Sequence, residues 1–255
     1  MKVLDIVNYL DNRFPITNAS DFDVKCTGFI IGSKNNKLNK VLCALDLTLD
    51  VAKQAIELGV NLVITHHPFL FNGVYKIDFD TEVGKTIKLL CENNISLYCV
   101  HTALDVASGG VNDCLAKRLG FKNIEGEEGK DMFLRTGDVN ITLIELANRV
   151  KKELLLNGVR IAGDKDKLIK KAGIIGGAGC NDIYEAKAKG CDCLITGEVR
   201  LNRAIEARQI GLTLIEANHG IERFVFEDLV EEFKKSFEEV EFIVSDINTD
   251  PLYFV

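Results

Sequence analysis

No run of apolar residues in this chain approaches the roughly 20 that a membrane-spanning helix needs. The N-terminal MKVLDIVNYLDNRF places acids where a secretory leader needs an unbroken apolar core. A cytoplasmic protein without a membrane partner is expected. Positive charge is in deficit: 31 Lys and Arg face 38 Asp and Glu, for a net charge of −7. A sequence-independent grip on nucleic acid or anionic lipid, which needs a basic surplus, is therefore not expected. There is no CxxC pair, and neither GxxxxGK[ST] nor GxGxxG occurs, so the common phosphate-cradling loops are missing. Histidine is scarce, with four in 255 residues.

What the chain does have is 47% hydrophobic residues, enough for one large or two ordinary cores. Val41 to Leu45, the helical-period DVAKQAIELG and Asn61 to Thr65 read as a βαβ unit. A second such unit, Ala172 to Glu198, aligns on Val41 to His67 without a gap, with Gly59 meeting Gly190, Ala55 meeting Ala186, and Ile64-Thr65 meeting Ile195-Thr196. Each is followed by one more helix and strand: GKTIKLLCENN and ISLYCV, then LNRAIEARQ and IGLTLIEAN. The expected fold is α/β, two related halves with mainly parallel sheets flanked by helices. The halves are taken as residues 1–127, with the HH and HTALD motifs, and 128–255, with TGE and HGIE, joined by the charged EGEEGKD. TGFIIGS reads as a further strand, MKVLDIVNYLDNRF as an amphipathic helix and FEDLVEEFKKSFEEV as a solvated surface helix. Cys191 and Cys193 share one side of a strand and read as buried thiols before a metal or redox pair.

Parallel-sheet proteins bind ligands beyond the carboxyl ends of their strands, and all four histidines fall there. His66 and His67 follow NLVIT, His101 follows ISLYCV with Asp105 four residues on, and His219 follows GLTLIEAN with Glu222 three residues on. One strand-end histidine is more often a packed or hydrogen-bonded residue than a ligand, but the joint pattern of imidazoles and carboxylates suits zinc, manganese or iron. A centre of two divalent ions is expected. Adjacent histidines on an extended backbone point to opposite sides, so unless the strand has already bent at the turn each would serve its own ion of a pair roughly 3.5–4 Å apart. Glu198 aligns opposite His67 and reads as a general base, an outer partner of the metals or a plain helix-start glutamate. SGGVND and GGAGCND read either as anion-binding turns at helix starts or simply as caps.

The segments ITHHPFLF, HTALDVASGGVND, LITGE, HGIE and NTDPLYF resemble, in order, the signatures of the NGG-one-interacting-factor-three-like family, whose bacterial members are often labelled GTP cyclohydrolase 1 type 2. The resemblance spans nearly the whole chain. The resemblance implies a two-lobed α/β fold, a dinuclear metal site in the cleft between the halves, and toroidal homohexamers. Its metal ligands match His66, His67, Asp105, His219 and Glu222, with Glu222 bridging, while His101 and Glu198 match residues near the metals and are the candidate catalytic pair. Two departures stand out. The family's Asp-x-Gly before the third-motif histidine is here Glu216 and Asn218, and the histidines that often follow TGE are replaced by VRLNRA.

The resemblance points first to a metal-dependent hydrolase of the GTP cyclohydrolase I type, acting on GTP or a related nucleotide. The same ligands suit a phosphoesterase or amidohydrolase on another small molecule, and a non-catalytic metal-binding regulatory scaffold is the alternative outside catalysis.

Overall fold

Every strand-and-helix alternation read from the apolar pattern is realised in the computed structural model, which describes residues 1–253. The elements in chain order are α1 (Val3–Arg13), β1 (Gly28–Ile31), β2 (Lys40–Ala44), α2 (Leu49–Glu57), β3 (Leu62–Thr65), α3 (Glu82–Glu92), β4 (Ser96–Cys99), α4 (Thr102–Val106), α5 (Val111–Arg118), β5 (Lys122–Gly126), β6 (Arg135–Thr142), α6 (Leu143–Glu153), β7 (Arg160–Ala162), β8 (Leu168–Ile175), α7 (Ile183–Ala188), β9 (Cys193–Thr196), α8 (Leu201–Gln209), β10 (Thr213–Glu216), α9 (Val225–Ser236) and β11 (Glu241–Val244). Phe254, the last residue of NTDPLYF, lies outside the described residues.

By compactness the chain forms two units. The first comprises Met1–Leu104 with Phe226–Thr249, and the second Asp105–Val225 with the residues from Asp250 onward. The first unit's sheet runs β1-β4-β3-β2-β11, parallel except for β1. Leu42, Val63 and Leu97 pack with Val51 and Ala55 of α2 and Leu90 of α3 in its core. The second unit's sheet runs β5-β6-β8-β9-β10-β7, with β8, β9 and β10 parallel and the other strands antiparallel. Its core gathers Ile175, Ile183, Ala186, Leu194, Ala207 and Leu214. Thr48 and Thr81 cap α2 and α3 through their hydroxyls, and Thr142 caps α6 in a reciprocal box with Glu145.

The internal repeat holds at the level of single hydrogen bonds. Val41 pairs with Leu62 and Ala44 with Thr65, while Ala172 pairs with Cys193 and Ile175 with Thr196, the same register in the gapless alignment. The loops before β3 and β9 turn at Gly59 (φ 67°) and Gly190 (φ 81°), where a residue without a Cβ avoids strain. Asn61 Oδ1 then accepts from the amides of Asn39 and Lys40, and Asp192 Oδ2 accepts from those of Lys170 and Lys171.

One local expectation is corrected. EGEEGKD begins inside β5, where Glu125 and Gly126 pair with Thr136 and Arg135; the antiparallel β5 and β6 escaped the sequence reading because charged residues interrupt their apolar pattern. The charged C-terminal helix α9 is the surface helix that its spacing predicts, with Leu229 and Phe233 buried and the charged face solvated.

Candidate metal centre

Leu62–Thr65 is wholly buried because helices cover both faces of a parallel strand. At its end the backbone bends, and the Thr65 hydroxyl donates to the His67 carbonyl at 2.9 Å. The bend is the case in which the two side chains need not diverge: their rings lie 4.9 Å apart, and His101 lies 5.5 Å from the first and 5.8 Å from the second. The sheet continues far enough to hold these residues, since the amides of His66 and His67 donate to the carbonyls of Ala44 and Leu45, and that of His101 donates to the carbonyl of His66. Three of the four histidines are thus gathered by adjacent strand ends of one unit.

Each of two rings in this group is braced by a carboxylate that the sequence reading missed. His67 Nδ1 donates to Asp46 Oδ1 at 2.7 Å, and His101 Nδ1 donates to Asp23 Oδ1 at 2.6 Å. Asp23 is fully buried and also accepts from the amide and hydroxyl of Thr102. Burial would raise the Asp23 carboxyl, but the hydrogen bonds from His101 and Thr102 outweigh it and hold the group below the usual carboxylate value. Asp46 follows the same balance, with burial opposed by His67 and Thr249. A carboxylate can only accept, so Nδ1 carries the proton and Nε2 is the ring nitrogen presented to a ligand. Asp46 could have been found by the rule that found the histidines, because it follows β2. Asp23 lies in a turn region and gave no such signal.

In the second unit, His219 and Glu222 sit on a 3₁₀ turn, His219–Phe224, directly after β10. Glu198, after β9, accepts from His219 Nδ1 at 2.6 Å, so here too a carboxylate braces the ring. His219 Nε2 lies 3.4 Å from Glu222 Oε2. The turn Gly176-Gly177 passes beneath this pair: a methyl group on either glycine would sit 2.8 Å from Glu222 Oε1, and one on Gly177 also 3.1 Å from His219 Nε2. Asp105, in α4, is buried, and its carbonyl accepts from Asn112 Nδ2 at 3.1 Å while Asn112 Oδ1 accepts from the Gly176 amide at 2.7 Å.

The two glycine-rich turns are occupied by internal bonds. Gly109 N donates to Asp113, and Gly179 N donates to the Thr196 hydroxyl, so these donors serve the fold. Cys191 and Cys193 are buried thiols, pushed by burial up to about 11 and about 12. A cavity of about 320 Å³ adjoins His219 and Glu198, lined further by Arg160, Glu216, Asn218 and Tyr253. Arg160 and Glu216 form an ion pair along it.

A pair of α/β units built on one duplicated frame, each with carboxylate-braced histidine at its strand ends, is the class of protein that the fold defines. A family model described as Duf34/NIF3 (NGG1p interacting factor 3) matches residues 1–251, and the chain belongs to that family. It is 34% identical to a protein of Clostridium perfringens named GTP cyclohydrolase 1 type 2 homolog, over 100% of both chains. A relative of the same name from Clostridium acetobutylicum is also 34% identical, over 86% of this chain and 84% of that one. Among solved structures, a Bacillus cereus protein related to NIF3 matches with a TM-score of 0.93 at 24% identity, over 100% of this chain and 99% of that one. A Staphylococcus aureus hypothetical protein matches equally, with a TM-score of 0.93 at 30% identity over 100% and 99%. No helix among the described residues is long and apolar enough to cross a membrane.

Proposed function

We propose that the ligands of the two units form one centre for two divalent ions (zinc, manganese or iron), and that the protein is a hydrolase acting on GTP or a related nucleotide. By the sequence halves 1–127 and 128–255, His66, His67 and Asp105 fall in the first and His219 and Glu222 in the second. His66, His67, Asp105, His219 and Glu222 would hold the ions, with Glu222 as the shared carboxylate. The observation that carries this reading is the bracing of His67, His101 and His219 by Asp46, Asp23 and Glu198 through Nδ1. Imidazole ligands of metals are oriented in this way, and their partners fix the tautomer.

When bound, the ions would supply Lewis acidity and a nucleophile available near neutral pH. The remaining work falls to the chain. His101 moves a proton through Nε2 while Asp23 keeps the Nδ1 proton in place. Glu198 orients His219 and borders the cavity, where its largely exposed carboxylate can also accept a proton from the substrate. The cavity beside them is of the size that takes a small molecule. Exposed Phe71, Tyr75, Ile77 and Phe79 favour assembly as a homo-oligomer, in line with the toroidal hexamer that the family resemblance implies. Eight cysteines that form no disulfide favour a reducing, cytoplasmic setting.

The test is metal content per chain, followed by turnover of GTP to formate by the loaded protein. Two ions and formate release are expected. Two ions with release of phosphate instead would point to a phosphoesterase, and two ions without turnover on either substrate would favour the regulatory scaffold. Less than one ion under every loading condition would sink the hydrolase.

A further inference from the structure

NTDPLYF contributes no ligand to the proposed centre, yet two of its residues end hydrogen-bond relays that lead to ligand-bearing elements. Thr249 Oγ1 donates to Asp46 Oδ2, while Asp46 Oδ1 accepts from His67 Nδ1 at 2.7 Å. The next residue, Asp250, accepts on Oδ2 from Asn218 Nδ2 at 2.6 Å, and Asn218 Oδ1 accepts from the Gly220 amide at 2.6 Å. That last bond caps the turn His219–Phe224. The other oxygen of Asp250 accepts from the Leu252 amide at 2.9 Å. Thr249 belongs to the first unit and Asp250 to the second.

We propose that Thr249 and Asp250 are positioning residues, a strap of two successive residues that fixes the His67 imidazole with one side chain and the turn bearing His219 and Glu222 with the other. The inference rests on the metal reading above. A carboxylate with a donor on each oxygen is held in rotation, so Thr249 prevents Asp46 from swinging and taking the His67 ring with it. Asn218 stands at φ 77°, a backbone conformation that leaves its amide as the cap of the turn. Asp250 holds that amide so that its oxygen stays on Gly220 N.

The experiment is calorimetric titration of the metal-free full-length protein with zinc, alongside thermal unfolding of the same metal-free samples. Thr249→Val, which keeps the shape and removes the donor, is expected to weaken zinc binding about 10- to 100-fold with little change in unfolding temperature, and Thr249→Ser to restore it. Asp250→Ala is expected to weaken binding similarly, and Asp250→Asn, which still offers an oxygen to Asn218, to stay near the wild type. Thr249→Val combined with Asp46→Asn should lose no more than Asp46→Asn alone, because both act on one relay. Unchanged binding by Thr249→Val in a protein whose wild type takes up zinc would overturn the strap and leave the metal reading intact. Additive losses in the double variant, or a loss that tracks unfolding temperature and is not rescued by serine, would also overturn it. A wild type that takes up no zinc would remove both.

Discussion

After β4 the first unit places His101 in the left-handed backbone region, φ 38°, with its side chain on the buried carboxylate of Asp23; after β10 the second unit places Asn218 at the same point, φ 77°, with its side chain on Asp250. The equivalence follows from register, since Ser96 pairs with Leu62 as Thr213 pairs with Cys193. The bonds that close each strand end match as well. Val100 N and His101 N donate to Thr65 O and His66 O, and Ala217 N and Asn218 N donate to Thr196 O and Gly197 O. Counting on from these anchors, Asp105 and Glu222 fall at the same position of their repeats, each on a short helical turn. One frame, used twice, therefore delivers a carboxylate to equivalent places, while the strand-end residues differ: His66 and His67 stand opposite Gly197 and Glu198, and Asp46 stands opposite Gly177. At these strand-end positions the first unit places two rings and the Asp46 brace, whereas the second places two glycines and Glu198, the brace of His219. A methyl group at Gly197 would sit 2.9 Å from the His219 Cα.

The frames differ most in their outer neighbours, and there the largest effect is expected. β2 adjoins the parallel β11, whereas β8 adjoins the antiparallel β6, whose Arg135 is buried and bonded to Asp113 and to the carbonyls of Val106 and Met132. Arg135→Met leaves Asp113 and those carbonyls without their donor and should cost about 3–5 kcal/mol of stability, the range for breaking a buried ion pair. Urea unfolding measures it. A loss below about 1 kcal/mol would mean that the second frame, like the first, stands without this brace.

Next in size is the glycine that makes the second unit's strand end different. Gly177→Ala puts a methyl group against Glu222 Oε1 and forces alanine into φ 54°. Metal affinity should fall about 10- to 100-fold, as it does when support around a ligand is disturbed, with a stability loss of about 1 kcal/mol from the backbone. Asp46, the first-unit counterpart, tolerates a side chain because there it braces a ring. Unchanged metal affinity in Gly177→Ala would remove the argument that the glycine turn exists to seat Glu222.

On folding stability, making the repeats alike has a smaller effect still. His101→Asn carries the second unit's residue into the first, at a backbone conformation asparagine adopts readily. Folding and ion count should be preserved, while turnover falls about 10²–10⁴-fold if His101 is the proton carrier. Loss of an ion in this variant would make His101 a ligand instead.

Much of this was legible in the sequence, and the reasons separate cleanly. The frame was readable because buried parallel strands are continuous apolar runs and because the repeat is gapless from Val41 to His67. The histidines were readable because rare residues clustered after strands. Asp23 was not, because it braces His101 from a turn region far earlier in the chain, and such pairing leaves no local pattern. The equivalence of Asp105 and Glu222 was also hidden. The segments linking β3 to β4 and β9 to β10 differ in length, so the alignment breaks before it reaches them, and only the strand pairing restores it.

The smallest expected effect separates the units by an element that lies outside the repeat. In the first unit α1 and α9 meet where Glu232 accepts from Arg13 at 2.9 Å and from the Tyr9 hydroxyl at 2.8 Å. Burial would raise the Glu232 carboxyl, but Arg13 and Tyr9 outweigh it and hold the group below its usual value. A lowered native pKa stabilises the fold above the unfolded-state value and loses that contribution as pH falls through the native one. Both partners are partly exposed, so the whole contribution is about 0.5 kcal/mol. Glu232→Gln should therefore be about that much less stable than the wild type at pH 7, and the two proteins should converge as the pH drops below the ordinary carboxylate range. A difference that persists unchanged into acid would show that the glutamine disturbs the packing of α1 on α9, and that charge at this contact does not distinguish the first unit from the second.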